Sequence, residues 1–213
     1  TRLRSVVPTI QWLRSHGASV VLLAHRGRPK GREQQYSLRP FLRPLSRILK
    51  TPIDFQEDIV AFTSRLRRTA DATSKKVTLV ENIRFLPGEE KNSTATAKLF
   101  ASLGDIYVLD AFAAAHRAHA SISGIRKYMP VWAGLLLQQE ITTLSQIMKQ
   151  PARPFVAIIG GAKISTKLGV VRRFMNIADY VLLGGALANT VLQAEGVSIG
   201  QSLTEPDMRR IVR

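Results

Sequence analysis

In Ala24-His-Arg-Gly-Arg-Pro-Lys-Gly31 a histidine and three cations stand around one glycine and one proline, directly after the apolar run Ser19-Val-Val-Leu-Leu23. Gly27 permits a tight turn and Pro29 stiffens it, so His25 and Arg28 would project from a fixed frame. Arginine forks pair with the oxygens of carboxylates and phosphates. The chemistry open to such a loop is retention of a small anion, although a solvated basic loop fits the same residues. Glu81-Asn-Ile-Arg-Phe85 also follows an apolar run, and Arg84 is there either a second anion clamp or a surface residue. In Asp110-Ala-Phe-Ala-Ala-Ala-His-Arg-Ala-His-Ala-Ser121, small residues that would admit a ligand or a second backbone precede His116, Arg117 and His119. Two histidines three apart admit a metal. No carboxylate or cysteine pattern completes a site, and histidine with arginine suits an anion better.

A different arrangement occupies Phe155-Val-Ala-Ile-Ile-Gly-Gly-Ala-Lys-Ile-Ser-Thr-Lys167. An apolar run enters Gly160 and Gly161, and the spacing of Lys163 and Lys167 places them one turn apart at the start of a helix. Free helix N–H groups and a lysine pair can hold phosphates. The spacing is not that of a Walker A loop. Leu182-Leu-Gly-Gly-Ala-Leu-Ala188 repeats the design with Gly184 and Gly185.

The elements that must position these groups follow from periodicity. Short runs rich in Val, Ile and Leu predict strands over 18–24, 76–81, 105–110, 155–159 and 180–183, with 53–55 a weaker candidate; such runs suit parallel strands covered on both faces. Amphipathic patterns predict helices over 2–14, 38–49, 94–103, 133–148 and 163–174. In the first of these Leu3, Val6, Val7, Ile10 and Leu13 share a face. Alternating strands and helices make an α/β fold with a parallel sheet, whose ligands sit at the carboxyl ends of the strands. After the long helix, Lys149-Gln-Pro-Ala-Arg-Pro154 carries two prolines and marks a boundary. The expected organisation is a first domain over 1–132, a helix and hinge over 133–150, and the start of a second, truncated domain over 151–213.

The chain has 213 residues and a formal net charge of +16. Residues 1–50 hold eleven Lys or Arg against a single acid, Glu33, a net of +10. Such an excess favours anionic partners. There are no cysteines, which removes disulfides and thiolate metal sites and suits a reducing compartment. No apolar run approaches the roughly 20 residues that a bilayer span requires, and no signal peptide is evident. The chain opens on Thr1 rather than Met, so preceding residues are expected.

Taken in order, the motifs are specific. Thr1-Arg-Leu-Arg with Pro8-Thr-Ile, His25 to Gly31, Tyr36-Ser-Leu-Arg-Pro40, Glu81 to Phe85, His116 to Ser121, Arg153-Pro-Phe-Val-Ala-Ile158 with Gly160 to Lys163, Gly184-Gly with Ala188-Asn-Thr190, and Ile199-Gly-Gln-Ser-Leu203 run through the whole sequence. Their succession resembles phosphoglycerate kinase of the bacterial type. The resemblance implies two Rossmann-like domains joined by a helix and hinge. The first would bind 3-phosphoglycerate or 1,3-bisphosphoglycerate and the second would bind ATP or ADP with Mg2+. Closure would then allow in-line phosphoryl transfer.

By the same resemblance, Arg2 reaches the transferring group and Lys163 stabilises it. Arg2, His25, Arg28, Arg84, His116 and Arg117 hold the glycerate substrate. Gly160, Gly161, Lys163, Lys167, Gly184 and Gly185 serve the nucleotide. A cytoplasmic protein, monomeric at full length, is implied, with neither membrane nor nucleic acid as partner. The metal contact is expected outside this stretch, as are a first strand whose loop carries an Asp and an Asn and a later glycine-rich phosphate loop, so these 213 residues alone are expected to be inactive. Ala113-Ala114, Thr166 and Ala186 depart from the family's usual Gly-Thr, Asp and Gly. A second reading, a non-catalytic derivative of the fold that binds anions or nucleic acid, rests on the basic first fifty residues. No nucleic-acid motif supports it, and the aromatics do not interleave with the basic run.

Overall fold

A computed structural model describes residues 2–66 and 76–212, the side chain of Arg2 excepted. The chain divides into two compact units, Thr1–Thr142 and Thr143–Arg213.

The first unit begins with α1 (Arg2–Ser5) and α2 (Val7–Ser15) in place of one continuous helix. Pro8 explains the break, because it brings no N–H to bond the carbonyl of Arg4. The shared apolar face survives the interruption. Ile10 is buried, and Leu3, Val6 and Val7 pack with it against Leu45, Leu49 and Val77.

Strand β1 (Val20–Leu22) is followed by 3-10 turns at Gln34–Tyr36 and Arg39–Phe41, then α3 (Leu42–Leu49), β2 (Ile53–Gln56) and α4 (Ile59–Leu66). Sequence periodicity did not single out α4. Next come β3 (Val77–Val80), α5 (Thr94–Ala101), β4 (Tyr107–Leu109), β5 (Val131–Ala133) and α6 (Leu135–Lys149). The expected helix start at Ala133 is corrected here: Ala133 ends β5, which pairs in parallel with β4 from Tyr107↔Val131 to Leu109↔Ala133. Gly134 makes the turn into α6 and donates its N–H to the Leu109 carbonyl at 2.8 Å.

The order β1-β3-β2 is parallel throughout. All four residues of the central β3 are buried, as expected of a strand covered on both faces. The main core joins Ile59, Phe62, Val80, Ile83, Phe100 and Ile125.

The second unit holds β6 (Val156–Gly160), α7 (Leu168–Met175), β7 (Tyr180–Gly184), α8 (Ala186–Ala194) and α9 (Arg209–Val212). Strands β6 and β7 pair in parallel in a register that sets Gly160 opposite Gly184. Ile159, Ile164, Val171 and Leu187 form the core. Unlike β3, β6 alternates between buried and exposed residues; Ile158 is 78% exposed and Tyr180 62%. Apolar runs of this kind suggested strands covered on both faces. Here α7 and α8 supply the core contacts, and the alternate residues face outward.

Candidate anion-binding sites

Strands β1 and β3 are parallel neighbours, so the segments leaving their carboxyl ends meet on one edge. Ile83 donates its N–H to the Ala24 carbonyl at 3.2 Å. Asn82, buried just after β3, donates its side-chain amide to the carbonyls of Arg26 at 2.8 Å and Tyr36 at 3.0 Å. Glu81 accepts the Ser37 hydroxyl at 2.7 Å and the Leu38 N–H at 2.8 Å. Two consecutive residues thus fix a basic loop that has little apolar content of its own. Gly27 has φ +64°, and a Cβ there would strike the Tyr36 ring. The turn requires glycine for both its backbone angle and its lack of a side chain.

Arg84 is buried, contrary to the surface alternative. Its Nη1 donates to the Gly27 carbonyl at 2.5 Å. Nε lies 3.1 Å from the half-exposed carboxylate of Glu90, although neither Nε nor the buried Nη2 has a well-directed hydrogen-bond partner. A guanidinium with donors to spare in a dry setting is primed for an arriving anion. Loss of water lowers the Arg84 pKa; Glu90 opposes this shift, while Arg117 and Arg28 reinforce it.

His25 is subject to the same field. Its pKa is lowered to about 4, first by loss of water around the ring and then by the positive charges of Arg84, Arg117 and His119. Near neutral pH its imidazole is uncharged. Arg84 and Arg117 thus act on His25, and Arg117 and Arg28 act on Arg84, within one electrostatic neighbourhood. His119 belongs to it as well, a residue that sequence reasoning passed over as a ligand. His116 is exposed, and no described contact draws it into the group. Arg2 lies at the start of α1, with its side chain outside the described residues.

The second unit has its own loop pair. Gly185 has φ +67°, and a Cβ there would lie 3.2 Å from the Gly161 carbonyl oxygen. That carbonyl accepts the Leu187 N–H from the first turn of α8 at 3.0 Å. Gly160 and Gly184 end the paired strands beside this contact, so the four glycines stand together.

The lysines do not share a helical turn. Lys163 lies in an exposed loop, and Lys167 is the residue that caps α7. Two interactions hold the intervening segment out of a helix. Ile164 is buried in the core, and Ser165 gives its N–H and hydroxyl to Glu205 at 3.1 and 2.6 Å. The Ser165 hydroxyl bond is the largest influence lowering the Glu205 pKa, and Lys163 also contributes. Glu205 was not legible as a site residue, because its partner is 40 positions away.

Among the described residues no group of three or more His, Asp or Glu converges to hold a metal, and no helix is long and apolar enough to cross a membrane.

The family model for phosphoglycerate kinase matches residues 1–213. The chain is 47% identical over 209 residues to the phosphoglycerate kinase of Moorella thermoacetica, covering 97% of this chain and 53% of the relative. It is 45% identical over 214 residues to that of Desulforudis audaxviator, covering 100% and 54%. The solved phosphoglycerate kinase of Coxiella burnetii superposes with a TM-score of 0.80 at 38% identity, over 97% of this chain and 52% of that one. For the Pyrococcus horikoshii enzyme the TM-score is 0.81 at 32% identity, with 93% and 51% covered. The chain spans about half the length of the curated relatives it matches. With its α/β fold of parallel strands, its ordered motifs and a family match along its whole length, the chain belongs to the phosphoglycerate kinase family.

Proposed function

We propose that the protein takes part in reversible phosphoryl transfer between 1,3-bisphosphoglycerate with ADP and 3-phosphoglycerate with ATP. Residues 1–132 would carry the phosphoglycerate, 133–150 would be the joining helix and hinge, and 151–213 would begin the nucleotide-binding part. The observation that carries this reading is Arg84: it is buried, has unsatisfied donors, and lies within the fields of Arg28 and Arg117. Confining so much positive charge is costly unless an anion neutralises it.

Phosphoryl transfer asks a protein for positioning and charge neutralisation more than for covalent help. His25, Arg28, Arg84 and Arg117 would grip the phosphate and carboxylate of the glycerate. His116 is assigned to that side by the family motif alone, and so is Arg2, with the transferring group as its target. In the second unit Lys163 would meet the transferred group and Lys167 the nucleotide phosphates. Gly160, Gly161, Gly184 and Gly185 would let the nucleotide approach the backbone closely. Cations aimed at developing charge supply much of the barrier lowering in such reactions. Magnesium would accompany the nucleotide, but the described residues offer it no carboxylate cluster.

Calorimetric titration of the chain with 3-phosphoglycerate and, separately, with ADP tests the proposal. Arg84→Ala should weaken 3-phosphoglycerate binding by about tenfold or more, the scale of one lost charge-assisted bond, and leave ADP binding unchanged. Equal losses for both ligands would refute the division of labour.

A further inference from the structure

Glu89 is 2% exposed, one of the largest fully buried side chains in the protein. A buried carboxylate is costly unless its oxygens are occupied. Among the described residues, the partners of this carboxylate lie in a single segment. Oε2 accepts the Ser121 N–H at 3.0 Å and Oε1 accepts the Ser121 hydroxyl at 2.5 Å. Oε1 also lies 3.5 Å from Nδ1 of His119. The backbone carbonyl of Glu89 takes the Ala120 N–H at 2.9 Å. Residues 119–121 are thus held to Glu89 by both its side chain and its main chain.

The next residue, Glu90, lies against Arg84. The two adjacent glutamates therefore divide the work. One faces the arginine that follows β3, and the other holds the segment carrying Arg117 and His119. His119 in turn anchors the next turn of chain, since its carbonyl accepts the N–H groups of Ile122 at 3.1 Å, Ser123 at 2.9 Å and Gly124 at 3.2 Å. Arg117 and His119 both act on His25, so the position of this segment sets the position of two members of the cluster.

We infer that Glu89 is a positioning residue: its buried carboxylate, through Ser121 and His119, fixes the segment that presents Arg117 and His119 to the arriving anion. This rests on the functional reading above, since the anion is taken to be the phosphoglycerate. The reach of the side chain matters to this role, and its charge does not. A negative charge beside an anion site opposes binding by itself, so a purely electrostatic part would have the opposite sign.

The experiment titrates the 213-residue chain and three variants with 3-phosphoglycerate by calorimetry, with a melting temperature for each. Glu89→Asp keeps the charge but is one methylene too short for both Ser121 donors, and should weaken binding by about tenfold. Glu89→Gln keeps the reach; with the Ser121 hydroxyl turned to accept, both contacts re-form, and affinity should stay within about threefold of the unaltered chain or rise. Leu49→Ala, a change in the separate core that Leu49 forms with Ile10 and Leu45, serves as the control that lowers the melting temperature without moving affinity. Glu89→Asp binding as the unaltered chain does would overturn the inference alone, as would an affinity loss in Leu49→Ala matching its own. Failure of the unaltered chain to bind 3-phosphoglycerate would overturn the functional reading and the inference with it.

Discussion

Thr9 donates its hydroxyl to Asp110 at 2.6 Å, across 101 positions of sequence. The other carboxylate oxygen accepts the Leu137 N–H at 2.9 Å, and Thr9 itself accepts the Leu135 N–H at 3.1 Å. Together the two side chains cap the first turn of α6, whose N–H groups would otherwise lack partners. Gly134 completes the arrangement, since a Cβ there would collide with the Asp110 carboxylate. Asp110→Ala should therefore destabilise the first unit by about 1–3 kcal/mol, the cost of leaving such donors unpaired. Urea unfolding followed by far-UV circular dichroism would measure it. A midpoint unchanged from that of the unaltered chain would contradict the capping role.

Gly27 makes a separable prediction. Its left-handed backbone alone costs an alanine about 1–2 kcal/mol, and the Tyr36 ring adds a collision. Gly27→Ala should lower the melting temperature, and Gly27→Ala with Tyr36→Ala should lower it less than the two single changes combined. Strict additivity in this double-mutant cycle would mean that ring and glycine do not meet.

The lowered pKa of His25 predicts a pH dependence of stability. Its folded value is about 4 against 6.5 for a free histidine, so between those values the unfolded chain binds more protons. The contribution of His25 is then fully present above pH about 6.5 and is lost as pH falls toward 4. Unfolding at about pH 7 and about pH 4.5 should show a larger loss in the unaltered chain than in His25→Asn; the comparison cancels carboxylates that titrate in the same range. An anion that offsets Arg84 and Arg117 should also raise this pKa. The His25 ring-proton resonance, titrated with and without 3-phosphoglycerate, would report that rise. An unmoved titration curve would place the anion elsewhere.

Much of the fold was legible because its causes are local. Runs such as Val77–Val80 and Val156–Gly160 are apolar enough to form strands wherever they pair, the first buried throughout and the second on alternate residues, and each described strand lies on or beside an apolar run. The interruption of the first helix was missed by periodicity, although its cause, Pro8, is local. Strand β5 was missed as well, since Val131-Trp-Ala133 is only three residues long and continues without polar punctuation into the helix pattern after it. His25, Arg28, Arg84 and Arg117 were singled out by order and residue type, because each follows an apolar run read as a strand.

The sequence by itself determined the alternation of strands and helices, the glycines at tight approaches and the cations available to meet an anion. Tertiary structure alone decided which carboxylate holds which loop. Ser121 finds Glu89 at 32 positions, Ser165 finds Glu205 at 40, and Thr9 finds Asp110 at 101. It also buried Arg84, set His119 beside the Glu89 carboxylate, and delayed α7 to Leu168. The reason is physical. Hydrophobic periodicity acts over one or two turns of chain, whereas a buried carboxylate takes whichever donor the packed core leaves within about 3 Å.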